Sequence, residues 1–345
     1  MMRTSWTPGR VNLMGEWIDF NGGWVLPAAL PLGVHVRLEE NGLDEDRVRS
    51  QQFAGEARAS LSDPAKRHWA DYAFGALQAA RAEGWVKAGC DIQLESDVPA
   101  GAGVSSSAAV TVGVLRAAAP ETVDSTTIAR LAQKVEHDFI GVPCGIMDQM
   151  AVAHAQPGQA IALDTRTLSY NAIDLPTDWR FAVIHSGVER KLADGRYKQR
   201  RNDCMNAAQV LDVEHLCDAQ HIETLPAALL PIARHVVSEN ERTKAAVDAL
   251  KNSDGHTLGA LMTATHVSLQ DDFQVSTPEV DALVESVLEF GALGARITGA
   301  GFGGCIVALI DADTPEDWHR ALNSKHPKAR FICDVTSDAK TRKAM

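Results

Sequence analysis

Strand-like runs and helix punctuation are interleaved through both halves of the chain, which excludes an all-helical or an all-strand architecture at the outset. From Arg10 to Leu38 the apolar runs VNLM, WVLPAAL and VHVRL are broken by glycine and proline, predicting short strands joined by tight turns. Residues 69–83 and 125–139 place apolar positions at three- and four-residue spacing, predicting amphipathic helices packed on that sheet. The polar run Asp164-Thr165-Arg166-Thr167 follows the strand-like AIAL and precedes another strand pair. It is the expected boundary between one domain over 1–165 and a second over 166–345, a division that suits 345 residues, a length large for one core. In the second half, Ser238-Glu239-Asn240-Glu241 reads as a capping box opening a helix. Thr277-Pro278 reads as an N-cap with proline in the first turn, and Gly291 as a C-terminal stop. The runs Cys305 to Ile310 and Phe331 to Val335 read as strands, and the expected class is α+β.

Charge and cysteine usage narrow the function. A net charge of -12 argues against a nucleic-acid surface, which needs clustered lysine and arginine. The cationic run from Lys191 to Arg201 is spaced as one solvated helix face. Six cysteines carry no CxxC pair and no zinc-like spacing, which predicts buried free thiols in a reducing compartment. The start MMRTSWTPGRVNL lacks the apolar core of a signal peptide, and no stretch approaches a membrane span, so the expectation is a cytoplasmic protein without a membrane partner.

Three segments carry chemistry. In Val98 to Ala108, Gly101, Ala102, Gly103, Val104, Ser105, Ser106 and Ser107 combine backbone freedom with three hydroxyls, and the small residues from Ser107 to Ala119 can start a helix behind them. Such a loop holds phosphate on inward-pointing N–H groups; a strand-to-helix turn with serine caps is the equal alternative on composition. No Gly-Lys-Ser/Thr follows, so it is not a Walker loop. Gly299 to Gly304 spells GxGxxG, but the strand-like Cys305 to Ile310 stands where a dinucleotide fold needs a helix, so a glycine hairpin with close backbone approach is expected. Asp148 is a lone carboxylate in the glycine-marked apolar run Gly141 to Met150, fit for a structural hydrogen bond or for chemistry.

A fourth stretch, GEWIDFNGG, sets Glu16 and Asp19 three residues apart among bulky apolar side chains, ahead of the Asn21-Gly22-Gly23 turn. Taken together, these residues resemble the galactokinase branch of the GHMP small-molecule kinases. The motifs are Pro8 to Gly23, Gly101 to Ala108 and Gly299 to Gly304, with branch-typical stretches at Glu136-His137 to Gln149, Tyr197 with Arg200-Arg201, His235 to Asn240, and Asp271-Asp272-Phe273. The match runs nearly end to end.

The resemblance implies a GHMP kinase fold, with an N-terminal domain like ribosomal protein S5, a ferredoxin-like C-terminal domain and an active site in the cleft between them. It implies transfer of the ATP γ-phosphoryl group to the anomeric hydroxyl of galactose with Mg²⁺. By family match, the loop from Gly101 to Ser107 cradles ATP, Ser107 and Glu136 bind Mg²⁺, Asp148 accepts the sugar's proton, and Arg10 supports it. Taken alone, Arg10 reads as a surface ion pair. Glu16, Asp19, Gly145 and Tyr197 match sugar-contacting positions, and carboxylates suit hydroxyls because each oxygen accepts.

Trp17 departs from the family, which usually carries histidine there. An indole at the O6 end of the pocket implies weaker selection for a C6 hydroxyl, so L-arabinose or D-fucose becomes an alternative substrate, unless Trp17 turns away and packs as an aromatic. Val104 for leucine and Ala300 for glycine are smaller departures of little expected consequence. A non-catalytic sugar or ATP sensor of the same fold is the rival of another class; the presence of Arg10, Ser107, Glu136 and Asp148 together counts against it. Oligomeric state is not written in the motifs.

Overall fold

The apolar runs of the first forty residues form two long strands, β1 (Arg3–Met14) and β2 (Trp24–Glu40). The structure is a computed structural model describing residues 2–99, 101–189, 195–315 and 317–336; Ala100 of the glycine-serine segment and Lys191 of the cationic run lie outside these. The sequence reading breaks β2 at its prolines and Gly33, whereas the strand continues through them for 17 residues. Proline lacks only the ladder donor, and neither Pro27 nor Pro31 is paired in the ladders to β2's neighbours described below. The Gly33 N–H is used by Asp97 Oδ1 at 2.6 Å.

Two compact units are formed, both discontinuous in sequence, where the sequence reading places a single cut after residue 165. The first comprises Met1–Arg10, Leu32–Ala100 and Ser105–Gln156. Within it β3 (Glu45–Ser50) runs antiparallel to β4 (Glu56–Ser60), helix α1 (Asp71–Ala82) follows, and β5 (Cys90–Ser96) lies parallel to β3 and antiparallel to the later half of β2. Helices α2 (Ser106–Ala118), α3 (Ser125–Lys134) and α4 (Met147–His154) cover the sheet, with α1 packed on α2. The small residues of α2 explain its close seat: a Cβ on Gly113 would lie 2.9 Å from Val36 and 3.0 Å from Thr7. The periodicity over 125–139 continues past α3 into a π-helical turn, Val135–Ile140, a rare geometry found disproportionately at functional sites.

The second unit comprises Val11–Pro31, Gly101–Val104 and Pro157–Met345. The first half of β2 pairs with β6 (Gln159–Asp164), which pairs with β7 (Tyr170–Asp174). There follow β8 (Trp179–His185), α5 (Arg196–Val210), α6 (Leu230–Lys251), α7 (Gly255–Asp271), α8 (Pro278–Glu289), β9 (Gly294–Ile297), β10 (Cys305–Asp311), α9 (Trp318–Lys325) and β11 (Arg330–Asp334). The four late strands make an antiparallel sheet in the order β11-β8-β10-β9. The GxGxxG run is the hairpin linking β9 to β10, and its glycines permit the expected close approach: a Cβ on Gly301 would sit 2.5 Å from the Val275 carbonyl.

Thr277 caps α8 through the Val280 N–H, as its sequence predicts. The capping box at Ser238 does not form. Helix α6 starts eight residues earlier, with proline in its first turn, and Ser238 Oγ bonds back to the Arg234 carbonyl at 2.6 Å, the usual outlet for a serine inside a helix. On α5, Arg196 and Lys198 are exposed, as the spacing predicts, while Arg200 and Arg201 are half-buried; Arg196 lies over the Phe302 ring and Arg201 over Phe20. No helix among the described residues is long and apolar enough to cross a membrane. All six cysteines are free, and five are buried.

Candidate active site

In the first unit the end of β1 delivers Arg10 to the first turn of α4, where Asp148 stands. Arg10 Nε donates to Asp148 Oδ1 at 2.8 Å and Nη2 to Oδ2 at 2.7 Å, a forked pair with the arginine almost fully buried and the carboxylate partly open. Ser105 Oγ adds a third donor, 2.5 Å from Asp148 Oδ2. The π turn carries Glu136, whose carboxyl is pushed up to about 7, first by burial and then by the negative charge of Asp148. Gln149 Nε2 donates to Glu136 Oε1 at 3.2 Å. Tyr72 of α1 hydrogen-bonds Ser107; burial, then the field of Glu136, pushes its hydroxyl up to about 12, so it stays protonated. Gly145 is buried in the bend just ahead of α4.

The glycine-serine loop adopts left-handed backbone at alternate positions, with φ of 74° at Gly101, 77° at Gly103 and 58° at Ser105. Left-handed residues at alternate positions are a backbone pattern from which anion-binding concavities are built. Helix α2 begins at once behind it, with no side chain capping its first amides.

The second unit holds the other carboxylates. Gly15, at φ 94°, turns the chain out of β1 where any Cβ would strike the Trp24 carbonyl at 2.7 Å. Glu16 follows, 2% exposed. Its Oε1 accepts from the Gly299 N–H at 2.7 Å and Thr298 Oγ1 at 2.9 Å, and lies 2.8 Å from Arg296 Nη2. Arg296 is itself fully buried and donates to the carbonyls of Asn12 and Leu13. Asp19 sits in the following turn, partly exposed. Trp17 is 5% exposed at φ 67°, its ring 4.8 Å from Tyr197, 5.0 Å from Phe273 and 6.0 Å from Phe20. The indole is thus a member of an aromatic cluster, and its Nε1 has no hydrogen-bond partner among the described residues.

Helix α6 fixes the backbone of this segment from one face. The buried carboxylate of Glu239 accepts from the Gly15 N–H at 2.8 Å, Asn240 Oδ1 from the Trp24 N–H at 2.9 Å, and His235 Nε2 lies 3.1 Å from the Glu16 carbonyl. Burial pushes His235 down to about 4; as a neutral ring it donates from Nε2, since a carbonyl only accepts, and accepts at Nδ1 from Ser268. Burial opposes the charge of Glu239, yet His235, Arg242, Arg296 and Thr265 hold its carboxyl below the ordinary range. The sequence reading names neither Arg296 nor the Ser105 link to Asp148, and it names Glu239 only as part of a capping box and of a branch-typical stretch. The visible signal for the first two is a charged residue inside an apolar strand or helix face, GARI and HVVSE.

The galactokinase galactose-binding signature matches residues 4–39, the GHMP kinase N-terminal domain 71–156 and the GHMP kinase C-terminal domain 246–328. The galactokinase of Chloroflexus aurantiacus is 41% identical over 90% of this chain and 84% of its own. The chain belongs to the galactokinase family. Among its galactokinase relatives, that of Pyrococcus furiosus is 37% identical over 89% of this chain and 88% of its own. The Lactococcus lactis galactokinase solved in complex with galactose superposes with a TM-score of 0.89 at 29% identity, covering 96% of this chain and 93% of its own. A mevalonate kinase from Methanococcus jannaschii, 20% identical with a TM-score of 0.71, shares the GHMP kinase fold. Arg10, Glu16, Trp17 and Asp19 fall inside the galactokinase signature; the glycine-serine loop, Glu136, Gly145 and Asp148 fall inside the N-terminal domain, and Tyr197 lies outside all three matches.

Proposed function

We propose that the protein transfers the γ-phosphoryl group of ATP to the anomeric hydroxyl of galactose, releasing ADP and galactose 1-phosphate. The observation that carries this reading is Asp148 held by Arg10 and by Ser105, the residue at which the glycine-serine segment passes into α2. Phosphoryl transfer asks for positioning and for neutralisation of spreading charge. Asp148 takes the proton of the sugar's O1 as that oxygen attacks phosphorus, and Arg10 orients the carboxylate and stabilises charge on the transferring group. The loop from Gly101 to Ser107 and the uncapped start of α2 receive the phosphates.

Glu16 Oε2, on the carboxylate whose Oε1 is committed to Arg296, Thr298 and Gly299, takes a sugar hydroxyl together with Asp19, with Tyr197 and Gly145 completing the contacts. Ser107 and Glu136 fit a magnesium ion. A buried carboxyl raised by its neighbour's charge is relieved by a cation, and Mg²⁺ takes few protein ligands and keeps its waters. Consistent with that economy, no cluster of three or more His, Cys, Asp or Glu side chains able to hold a metal occurs among the described residues. When bound, Mg²⁺ neutralises phosphate charge.

Galactose is preferred over its C6-modified analogues in this reading because Trp17 packs among aromatics, as in the alternative weighed for it above. A coupled assay of ADP release over galactose, L-arabinose, D-fucose and glucose tests the proposal. Galactose is expected to give the highest kcat/KM, and Asp148→Ala to lower turnover by roughly 10²–10⁴. Near-normal turnover in Asp148→Ala, or no sugar-dependent ADP release, overturns it.

A further inference from the structure

A serine at the N-cap of a helix ordinarily has extended backbone and turns its oxygen back to accept an amide of the first turn. Ser105, at the N-cap of α2, does neither. Its backbone is left-handed, at φ 58° and ψ 43°, which disfavours a residue with a Cβ, and its side chain makes no capping bond. The residue is 7% exposed, and its hydroxyl is spent on Asp148 Oδ2. Both departures from ordinary N-cap behaviour serve one contact, between the end of the phosphate loop and the carboxylate on α4.

We propose that Ser105 is a positioning residue for Asp148: its hydroxyl fixes the carboxylate's second oxygen and ties the orientation of the proton acceptor to the conformation of the glycine-serine loop. The proposal rests on Asp148 being the proton acceptor. Arg10 alone grips the carboxylate with one planar fork from one strand. Ser105 adds a donor from a second element, and that element leads straight out of the loop assigned to the triphosphate. A loop ordered by nucleotide therefore holds Asp148 in its working orientation, and one that relaxes releases it. The serine acts through the carboxylate and has no need to touch substrate.

Two substitutions separate the hydroxyl from the backbone. Ser105→Gly suits left-handed backbone and deletes the hydroxyl; Ser105→Thr keeps the hydroxyl on a backbone that a β-branched residue disfavours. The expected result in Ser105→Gly is a kcat lower by roughly tenfold to a hundredfold, the order that misplacing a reacting group costs. KM for ATP and for galactose should stay within about twofold, because the hydroxyl orients the proton acceptor and does not bind either substrate. Ser105→Thr should retain more kcat than Ser105→Gly, the reverse of the order that backbone strain alone dictates. A wild-type kcat in Ser105→Gly, or a rise confined to the ATP KM, overturns the proposal. So does a Thr variant no better than the Gly variant. If Asp148→Ala, measured alongside, is fully active, the failure lies instead with the kinase mechanism itself.

Discussion

Replacing Glu239 with alanine removes the carboxylate that holds the sugar signature from behind, and the structure sets the size of the effect. Glu239 is fully buried and accepts from the Gly15 N–H at 2.8 Å, Arg242 Nε at 2.9 Å and Thr265 Oγ1 at 2.7 Å, with a longer contact of 3.4 Å to the Glu16 N–H. Deleting one member of a buried ion pair costs about 3–5 kcal/mol, because the partner charge keeps its desolvation penalty and loses its compensation. The Gly15 amide and the Thr265 hydroxyl lose their acceptor as well, so the upper end of that range applies. For a domain of roughly 200 residues each kcal/mol moves the Tm by roughly 2–4 °C, so Glu239→Ala should melt about 10–20 °C below the wild type in a calorimetric or dye-binding scan. Because Gly15 and Glu16 lose an anchor, the galactose KM should rise at least tenfold even at a temperature where the variant is folded. A variant melting within about 2 °C of the wild type with an unchanged galactose KM would refute the reasoning, since the hydrogen bonds of Glu239 would then carry neither stability nor sugar placement.

As pH falls from 7 to 5, His235 should lower the stability of the protein, against the opposite contribution of Glu136, whose raised carboxyl takes up a proton in the same range. His235 is held neutral, with its pKa near 4 against about 6.5 in the unfolded chain, so the unfolded state binds more protons in that window and stability falls as pH drops through it, by about 2 kcal/mol at pH 5 from this residue. Melting curves from pH 7 to 5 check this, and His235→Gln should flatten the slope. Stripping divalent cations with EDTA should abolish ADP release and MgCl₂ restore it, while Glu136→Gln should raise the Mg²⁺ needed for half-maximal rate by roughly tenfold or more. Because Trp17 packs among Phe20, Tyr197 and Phe273, Trp17→Ala should lower the Tm by several degrees through lost aromatic packing, read in a thermal scan.

Most strands and helices were legible because their patterns are local: alternation and turn residues mark β6, β10 and β11, and Thr277-Pro278 marks the start of α8. The errors have local causes too. Proline was weighed as a strand breaker at Pro31, which is paired in neither the β5 nor the β6 ladder, and Ser238-Glu239 matched a cap while lying inside a helix with Pro231 in its first turn. Within the candidate site, the candidate residues could be named from motifs, and the proximity of Arg10 to Asp148 is seen in the geometry. What holds them could not be named. Arg296 reaches Glu16 from 280 positions away in sequence, and Ser105 leaves its expected cap for a carboxylate on another helix. Such bonds are set by tertiary packing, and no window of neighbouring residues contains them.

The span between Gly15 and Glu239 is 224 residues. A ribosome adding about 5–20 residues each second needs roughly 10–45 s to cover it, so the galactose-recognition turn leaves the exit tunnel long before the helix that shapes it exists. Until then Gly15 and Glu16 have no template, and the nascent amino-terminal portion is a candidate client for chaperones. Truncation ahead of α6 should therefore yield a chain unable to retain sugar, whatever else of it folds.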